Sequence, residues 1–130
     1  MRIVPICIMH SSLPAVRELG RGLAQAVATF AQPVLLVAST DMTHFEPHYT
    51  ASEKDHKVIE RILELDEEGM WDTVQRLQVS MCGHDPVAAG LVYAKERGAT
   101  TAELVDYKTS GDSPGGDRSS VVGYAGIIIR

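Results

Sequence analysis

The sequence contains few of the residues that mark specialised classes of protein. Its 130 residues include only two cysteines, two phenylalanines and one tryptophan. Cys7 and Cys82 form no CxxC motif, so no disulfide framework is indicated, and we expect free thiols in a reducing compartment. Because large aromatic side chains are scarce, valine, isoleucine, leucine and alanine must form most of the core.

Further absences limit the location and the partners. The 12 basic residues are scattered among 17 acidic ones, which gives a net charge of -5, and no nucleic-acid surface is predicted. No apolar run reaches the roughly 18 residues that span a membrane. No signal-peptide pattern is present, so we expect a cytoplasmic protein. The length predicts a single domain, residues 1–130, with a substantial core, and the apolar share of 45% is typical of a globular protein.

The apolar pattern predicts an α/β fold in the order β-α-β-α-α-α-β-β. Two apolar runs, Arg2–Met9 and Val34–Ala38, predict buried strands. Helical spacing from Pro14 to Phe30 predicts a helix between them, and close packing on a sheet would explain its glycines. This alternation implies parallel strands with right-handed crossovers.

Three helix starts and a hairpin are predicted further along the chain. Thr50–Glu53 matches a capping box, Asp66 is a candidate N-cap, and Asp85-Pro86 would supply an N-cap and a first-turn proline. Glu103–Thr109 and Val121–Ile129 are predicted strands that could pair as a hairpin. The glycine-rich loop between them lacks a P-loop sequence, so no nucleotide site is predicted.

The densest polar chemistry follows the second predicted strand. Its members are Ser39, Thr40, Asp41, Thr43 and His44. Ligands of open α/β sheets bind outside the carboxyl ends of strands, so this stretch is a candidate site. The alternative, that Ser-Thr-Asp only caps a turn, stays open from the residues alone.

A second dense stretch, Val79–Pro86, contains Cys82. A thiol just before a helix N-terminus meets the positive end of the helix dipole, which favours thiolate. The alternative is a small buried cysteine packed under the turn. Among the histidines, His56 has charged neighbours and is interpreted as a surface residue, whereas His48 follows Pro47 and is interpreted as a loop residue.

Four segments, in this order, resemble the Memo family. They are Ala38–His44 (ASTDMTH), Ser80–Pro86 (SMCGHDP), Tyr107–Asp112 (YKTSGD) and Val121–Ala125 (VVGYA). Memo proteins are usually much longer, and this chain resembles only their C-terminal half. The resemblance implies a three-layer fold related to the class III extradiol ring-cleaving dioxygenases, with a mostly parallel or mixed sheet flanked by helices.

The resemblance also implies which residues form the site. By position, His44 matches the family's C-terminal site histidine, Asp41 its neighbouring acid and Cys82 its site cysteine, and all three are candidate metal ligands and catalytic groups. Two further site histidines belong to N-terminal segments that do not occur here. His84 stands near the family's Arg-His-Pro, and His10 is a further candidate ligand.

This donor set fits iron, copper or zinc. Together with this donor set, the resemblance implies a Memo-like, metal-dependent oxidoreductase or dioxygenase-like protein with an incomplete site. The alternative is a non-catalytic module that binds a protein partner or a peptide. Both hypotheses predict that a homo-oligomer or a separate N-terminal half covers apolar surface. The family's association with radical-SAM and AMMECR1-like proteins implies a functional link to them.

Overall fold

The structure, a computed structural model, describes residues 2–130. Its elements are α1 (Leu13–Ala28), β1 (His44–Glu46), α2 (His48–Leu63), α3 (Glu67–Leu77), α4 (His84–Glu96), β2 (Ala102–Thr109), a short 3₁₀ turn (Ser110–Asp112) and β3 (Val121–Ile129). The predicted α/β class is confirmed. Within the described residues, no helix has the length and apolar character that crossing a membrane requires.

The sheet has three strands in the order β1-β3-β2. Strands β2 and β3 pair antiparallel from Ala102 opposite Ile129 to Thr109 opposite Gly123, so the predicted hairpin is confirmed. Strand β1 also pairs antiparallel with β3. The parallel pairing predicted from the early strand–helix alternation is therefore absent from the sheet that residues 2–130 form.

The core lies between the helices and one face of this sheet. Helix α2 supplies Val58, Ile59 and Ile62 to it, and α3 supplies Met70 and Val74, all nearly inaccessible to water. Burying each such side chain contributes about 1.5–3 kcal/mol. This core fixes the position of α2 beneath the sheet, which matters for the site described below.

Helix α1 packs closely against α4 at Gly20. A Cβ atom at this position would lie 2.6 Å from the carbonyl oxygen of Ala89 and 2.8 Å from Cβ of Val92. Gly22 has no atom within 4 Å of such a Cβ. The predicted close packing is thus correct for Gly20 alone, and its partner is a helix instead of a sheet.

Ion pairs around Glu67 join α1, α3 and α4. Arg17 donates to Glu67 at 3.0 Å and to Glu68 at 2.8 Å, and the Lys95 ammonium also donates to Glu67. Burial by itself would raise the pKa of Glu67. Hydrogen bonds from Lys95, its own backbone N–H and Arg17 outweigh burial and lower that pKa below its ordinary value.

Two predicted strands are wrong for the described chain. Arg2–Met9 and Val34–Ala38 pair with no strand of the sheet. Many of their apolar side chains are exposed, for example Val4 at 82% and Leu35 at 86%. An apolar run predicts burial, but a strand also requires a neighbour that accepts and donates its ladder of hydrogen bonds. Neither segment has such a neighbour among residues 2–130.

Of the three predicted caps, only that of α3 is correct: Asp66 accepts the Gly69 N–H at 2.8 Å. Helix α2 begins earlier than the Thr50–Glu53 capping box, with Pro47 as its N-cap. His48 is therefore the first residue of a helix, and its interpretation as a loop residue is wrong.

Helix α4 also begins earlier than predicted. Gly83 is its N-cap, and Asp85 lies inside the first turn. The buried carboxylate of Asp85 instead accepts the backbone N–H of Ser11 at 2.8 Å. A long-range acceptor role therefore replaces the local capping role, because Asp85 faces the segment that leads into α1.

Candidate metal site

Three side chains able to ligate a metal ion meet beside the start of β1. Asp41, His44 and Cys82 each offer one ligand atom, and these atoms all lie within 4.8 Å of one another. Asp41 precedes β1, His44 is its first residue, and Cys82 lies in the turn before α4. The structure thus brings together the three residues that the sequence singled out, and their chemical role stays a prediction.

Strand β3 holds the loop that carries two of these ligands. The Met42 N–H donates to the Gly123 carbonyl at 2.9 Å, and the Gly123 N–H donates to the Thr43 carbonyl at 2.9 Å. Met42 and Thr43 are buried, whereas Asp41 and His44 are partly exposed. The buried pair therefore anchors the loop, and its two neighbours remain accessible to an ion.

The ring of His44 is oriented for ligation. Its Nδ1 lies 2.8 Å from the Ser80 carbonyl oxygen, and its backbone N–H donates to Ser80 Oγ at 2.7 Å. Because a carbonyl oxygen only accepts, Nδ1 carries a proton, and in the neutral ring Nε2 is the nitrogen free to bind a metal ion. Nε2 lies 3.7 Å from Oδ2 of Asp41. Metal-binding histidines commonly hold their second nitrogen in this way.

The sulfur of Cys82 lies against the same loop. It accepts the Asp41 N–H at 3.2 Å and lies 3.8 Å from the hydroxyl oxygen of Thr40. The residue is exposed, so the alternative of a buried cysteine packed under the turn is wrong. The accessible sulfur therefore lies where it could act as a metal ligand beside Asp41 and His44.

A glycine allows the two loops to approach. A Cβ at Gly83 would lie 2.6 Å from both the Ser39 carbonyl oxygen and Cβ of Thr40. The Gly83 N–H donates to the Thr40 hydroxyl at 2.8 Å. Because no side chain intervenes at position 83, Cys82 reaches the loop that carries Asp41 and His44.

The other histidines lie outside this cluster. His84 has Nδ1 3.2 Å from the Met81 carbonyl oxygen and Nε2 2.8 Å from Asp85. His10 is exposed, and with Cys82 and His84 it borders a cavity of about 490 Å³ beside the site. His84 and His10 thus lie near the candidate ligands without joining them. His56 is exposed on α2, as predicted.

Sequence reasoning missed Asp55. This fully buried residue of α2 accepts hydrogen bonds from the N–H and hydroxyl of Thr43 at 3.0 and 2.6 Å, and from the Tyr107 hydroxyl at 2.8 Å. Burial, reinforced by the bond to Asp55, raises the pKa of Tyr107 above its ordinary range. A signal was present, because Asp55 shares helical spacing with the buried Ala51 and Val58.

The family model described as Memo-like protein matches residues 1–128. MEMO1 family proteins of Methanopyrus kandleri, Methanocaldococcus jannaschii and Methanosarcina barkeri are 48%, 42% and 41% identical to the chain, each over 99% of it. These alignments cover 45%, 45% and 48% of the relatives, so the chain spans about half their length. The names of these relatives state no reaction. The chain belongs to the Memo-like protein family.

Proposed function

We propose that this chain contributes Asp41, His44 and Cys82 to a metal site of an oxidoreductase related to the dioxygenases. The observation that carries the proposal is the convergence of their ligand atoms within 4.8 Å. Metal–ligand bonds of about 2.0–2.3 Å in a tetrahedral site separate neighbouring ligand atoms by roughly 3–4 Å. Side-chain movements of about 1 Å would therefore bring this set to bonding distance.

The donor chemistry favours particular ions. An imidazole nitrogen with a carboxylate suits iron, and the added thiolate favours copper or zinc. Such an ion would supply Lewis-acid or redox chemistry. The protein's own contribution is to hold the His44 ring through Ser80, to direct a carboxylate from Asp41 as ligand or proton acceptor, and to present the Cys82 sulfur as a third ligand.

Three protein ligands and a position for water or substrate would suffice for a catalytic zinc site. The resemblance to the Memo family nevertheless implies two further site histidines, on N-terminal segments that do not occur in this chain. The chain spans only 45–48% of the relatives quoted above. Further ligands would come from a second copy of the chain or from a separate N-terminal half.

The same partner would cover the unpaired segments Arg2–Met9 and Val34–Ala38. Many of their apolar side chains are exposed, and neither segment belongs to a helix or to a strand of the sheet, so a strand from a partner could pair with them. Such pairing would extend the antiparallel sheet to the mixed, three-layer arrangement of a dioxygenase-like fold. We include in the proposal a cytoplasmic location and a functional link to radical-SAM and AMMECR1-like proteins.

Analytical ultracentrifugation of the purified chain tests the partner. A dimer, or a complex with a co-expressed N-terminal half, is the expected result. A monomer that stays soluble at high concentration and binds no apolar dye would contradict this part of the proposal, because exposed apolar segments drive association.

Metal content tests the site itself. Untagged protein of known oligomeric mass is incubated with iron, copper or zinc, desalted and analysed by elemental mass spectrometry. We expect near-stoichiometric metal in the wild type, loss of most of it in His44→Ala, and no change in the control His56→Ala, which alters an exposed histidine outside the cluster. Circular dichroism verifies that both variants fold.

The alternative function is a non-catalytic module that binds a protein partner or a peptide. The exposed apolar segments favour it independently of the metal. If the wild type retains none of the three ions, the metal proposal is rejected and this alternative is preferred. If metal is retained, oxidation of model catechols in the presence of oxygen tests for turnover.

A further inference from the structure

We propose that Asp55 is a positioning residue for the candidate metal site, which it holds in shape through Thr43. The inference rests on the proposed function, since it concerns the same site. Its starting observation is that one fully buried carboxylate receives three hydrogen bonds. Asp55 Oδ1 takes both donors of Thr43, and Oδ2 takes the hydroxyl of Tyr107.

Thr43 is the residue through which Asp55 would act. It lies two positions after Asp41 and directly before His44, and its own side chain is fully buried. Three of its polar groups are held: the N–H and the hydroxyl by Asp55, and the carbonyl by the Gly123 N–H. A displacement of Thr43 therefore moves both flanking ligands.

Strand β3 is shaped to admit this carboxylate. A Cβ at Gly123 would lie 2.0 Å from Asp55 Oδ2 and 3.0 Å from the Tyr107 hydroxyl oxygen. The same glycine forms the two backbone hydrogen bonds to Met42 and Thr43. Because Gly123 has no side chain, it can make both contacts. Helix α2, strand β3 and the segment Asp41–His44, called the ligand loop below, are therefore fixed relative to one another.

The two oxygens of Asp55 serve separate parts of the protein. Oδ1 holds the ligand loop, whereas Oδ2 holds Tyr107 on β2, which is remote in sequence from the three candidate ligands. Thr43→Val therefore removes the hydroxyl that donates to Oδ1, on the side of the candidate site. Tyr107→Phe removes the hydroxyl that donates to Oδ2. It is the matched control, because both variants delete one hydrogen bond to the same carboxylate.

The experiment is a titration of the full chain with Co²⁺, followed by the thiolate-to-cobalt absorption in the near ultraviolet. We expect Thr43→Val and Asp55→Ala to weaken Co²⁺ binding by about 10–100-fold, as is typical for residues that orient metal ligands. Asp55→Asn keeps an oxygen that accepts from Thr43 and should restore most of the affinity. Tyr107→Phe should change it less than about threefold.

Urea unfolding of each variant separates positioning from stability. All four substitutions are expected to lower the unfolding midpoint, because each alters a buried hydrogen-bonded group. If Thr43→Val and Tyr107→Phe weaken Co²⁺ binding equally, Asp55 is a purely structural residue and the inference is overturned.

A metal-free measurement distinguishes this inference from the proposed function. If the wild type binds neither Co²⁺ nor any of iron, copper and zinc, the proposed function fails, and nuclear magnetic resonance of the His44 ring nitrogens then decides the role of Asp55. We expect the Nδ1–H tautomer in the wild type and in Tyr107→Phe, and a mixture of tautomers in Thr43→Val. An unchanged His44 tautomer in Thr43→Val would overturn the inference.

Discussion

Replacing Gly20 and replacing Gly22 of α1 by alanine should change the free energy of unfolding in opposite directions. Both residues lie in the helix interior, where alanine is favoured by about 0.8–1.0 kcal/mol. At Gly22 a Cβ meets no atom within 4 Å, so Gly22→Ala should realise this gain. At Gly20 the Cβ would lie 2.6 Å from the carbonyl oxygen of Ala89, and a backbone atom cannot rotate away.

The expected loss of stability in Gly20→Ala follows from overpacking of the contact between α1 and α4. Inserting a methyl group into a well-packed contact costs about 1–3 kcal/mol, and rigid backbone on α4 places this site toward the upper end. After the gain in helix propensity is subtracted, the free energy of unfolding of Gly20→Ala should be about 1–2 kcal/mol below that of the wild type. With a urea m-value near 2 kcal/mol/M, the unfolding midpoint should fall by about 0.5–1 M.

The assay is equilibrium urea unfolding by circular dichroism at one protein concentration. The expected order of midpoints is Gly22→Ala above the wild type and Gly20→Ala below it, with equal slopes. If Gly20→Ala is as stable as Gly22→Ala, the packing of α1 on α4 described above is incorrect. A dependence of the midpoints on protein concentration would reveal a contribution from association.

Two further predictions concern charge and thiol chemistry. Glu67→Gln should lower the free energy of unfolding by about 1–2 kcal/mol at pH 7, a value reduced by solvent at the exposed Lys95 ammonium. Because the folded-state pKa of Glu67 is lowered from 4.5, its stabilising contribution is present above that pH and is lost as the pH falls further, so the variant and wild type should converge in acid. A constant difference down to pH 3 would contradict this origin. In a Cys7→Ser background, a thiol probe at pH 7 should label Cys82 rapidly, and Zn²⁺ should slow that labelling, while Cys7 in a Cys82→Ser background should be unaffected by Zn²⁺; slow, zinc-independent labelling of Cys82 would argue against a thiolate ligand.

The part of the fold that sequence predicts well is the part with local causes. Helical spacing located α1, and the Asp66 cap located α3, because both signals depend on residues within one or two turns. The hairpin of β2 and β3 followed from two strand-like segments separated by a turn-rich loop. The strand predictions for Arg2–Met9 and Val34–Ala38 are wrong. Strand pairing requires a neighbouring strand, and an apolar run does not specify whether one is present.

The candidate metal site likewise has residues that local sequence predicts and residues that only tertiary contacts bring together. Asp41 and His44 lie in one short motif, so their proximity could be predicted from the residues. Cys82 joined them only through the family resemblance, since its approach depends on the contact between Gly83 and Thr40. Asp55 was missed because its role arises from tertiary contacts with Thr43 and Tyr107. The only sign of these contacts in the sequence is one acidic residue on the buried face of a helix.

The distance along the chain between the candidate ligands has a thermodynamic consequence. Cys82 and Asp41 are 41 positions apart, and only folding brings them within reach of one ion. An ion that binds the folded chain and not the unfolded one adds RT ln(1 + [L]/Kd) to stability, about 2.7 kcal/mol at a hundredfold excess over Kd. Under the proposed function, the supply of metal would therefore set how much of this chain is folded at any moment, and its survival against proteolysis would follow metal availability.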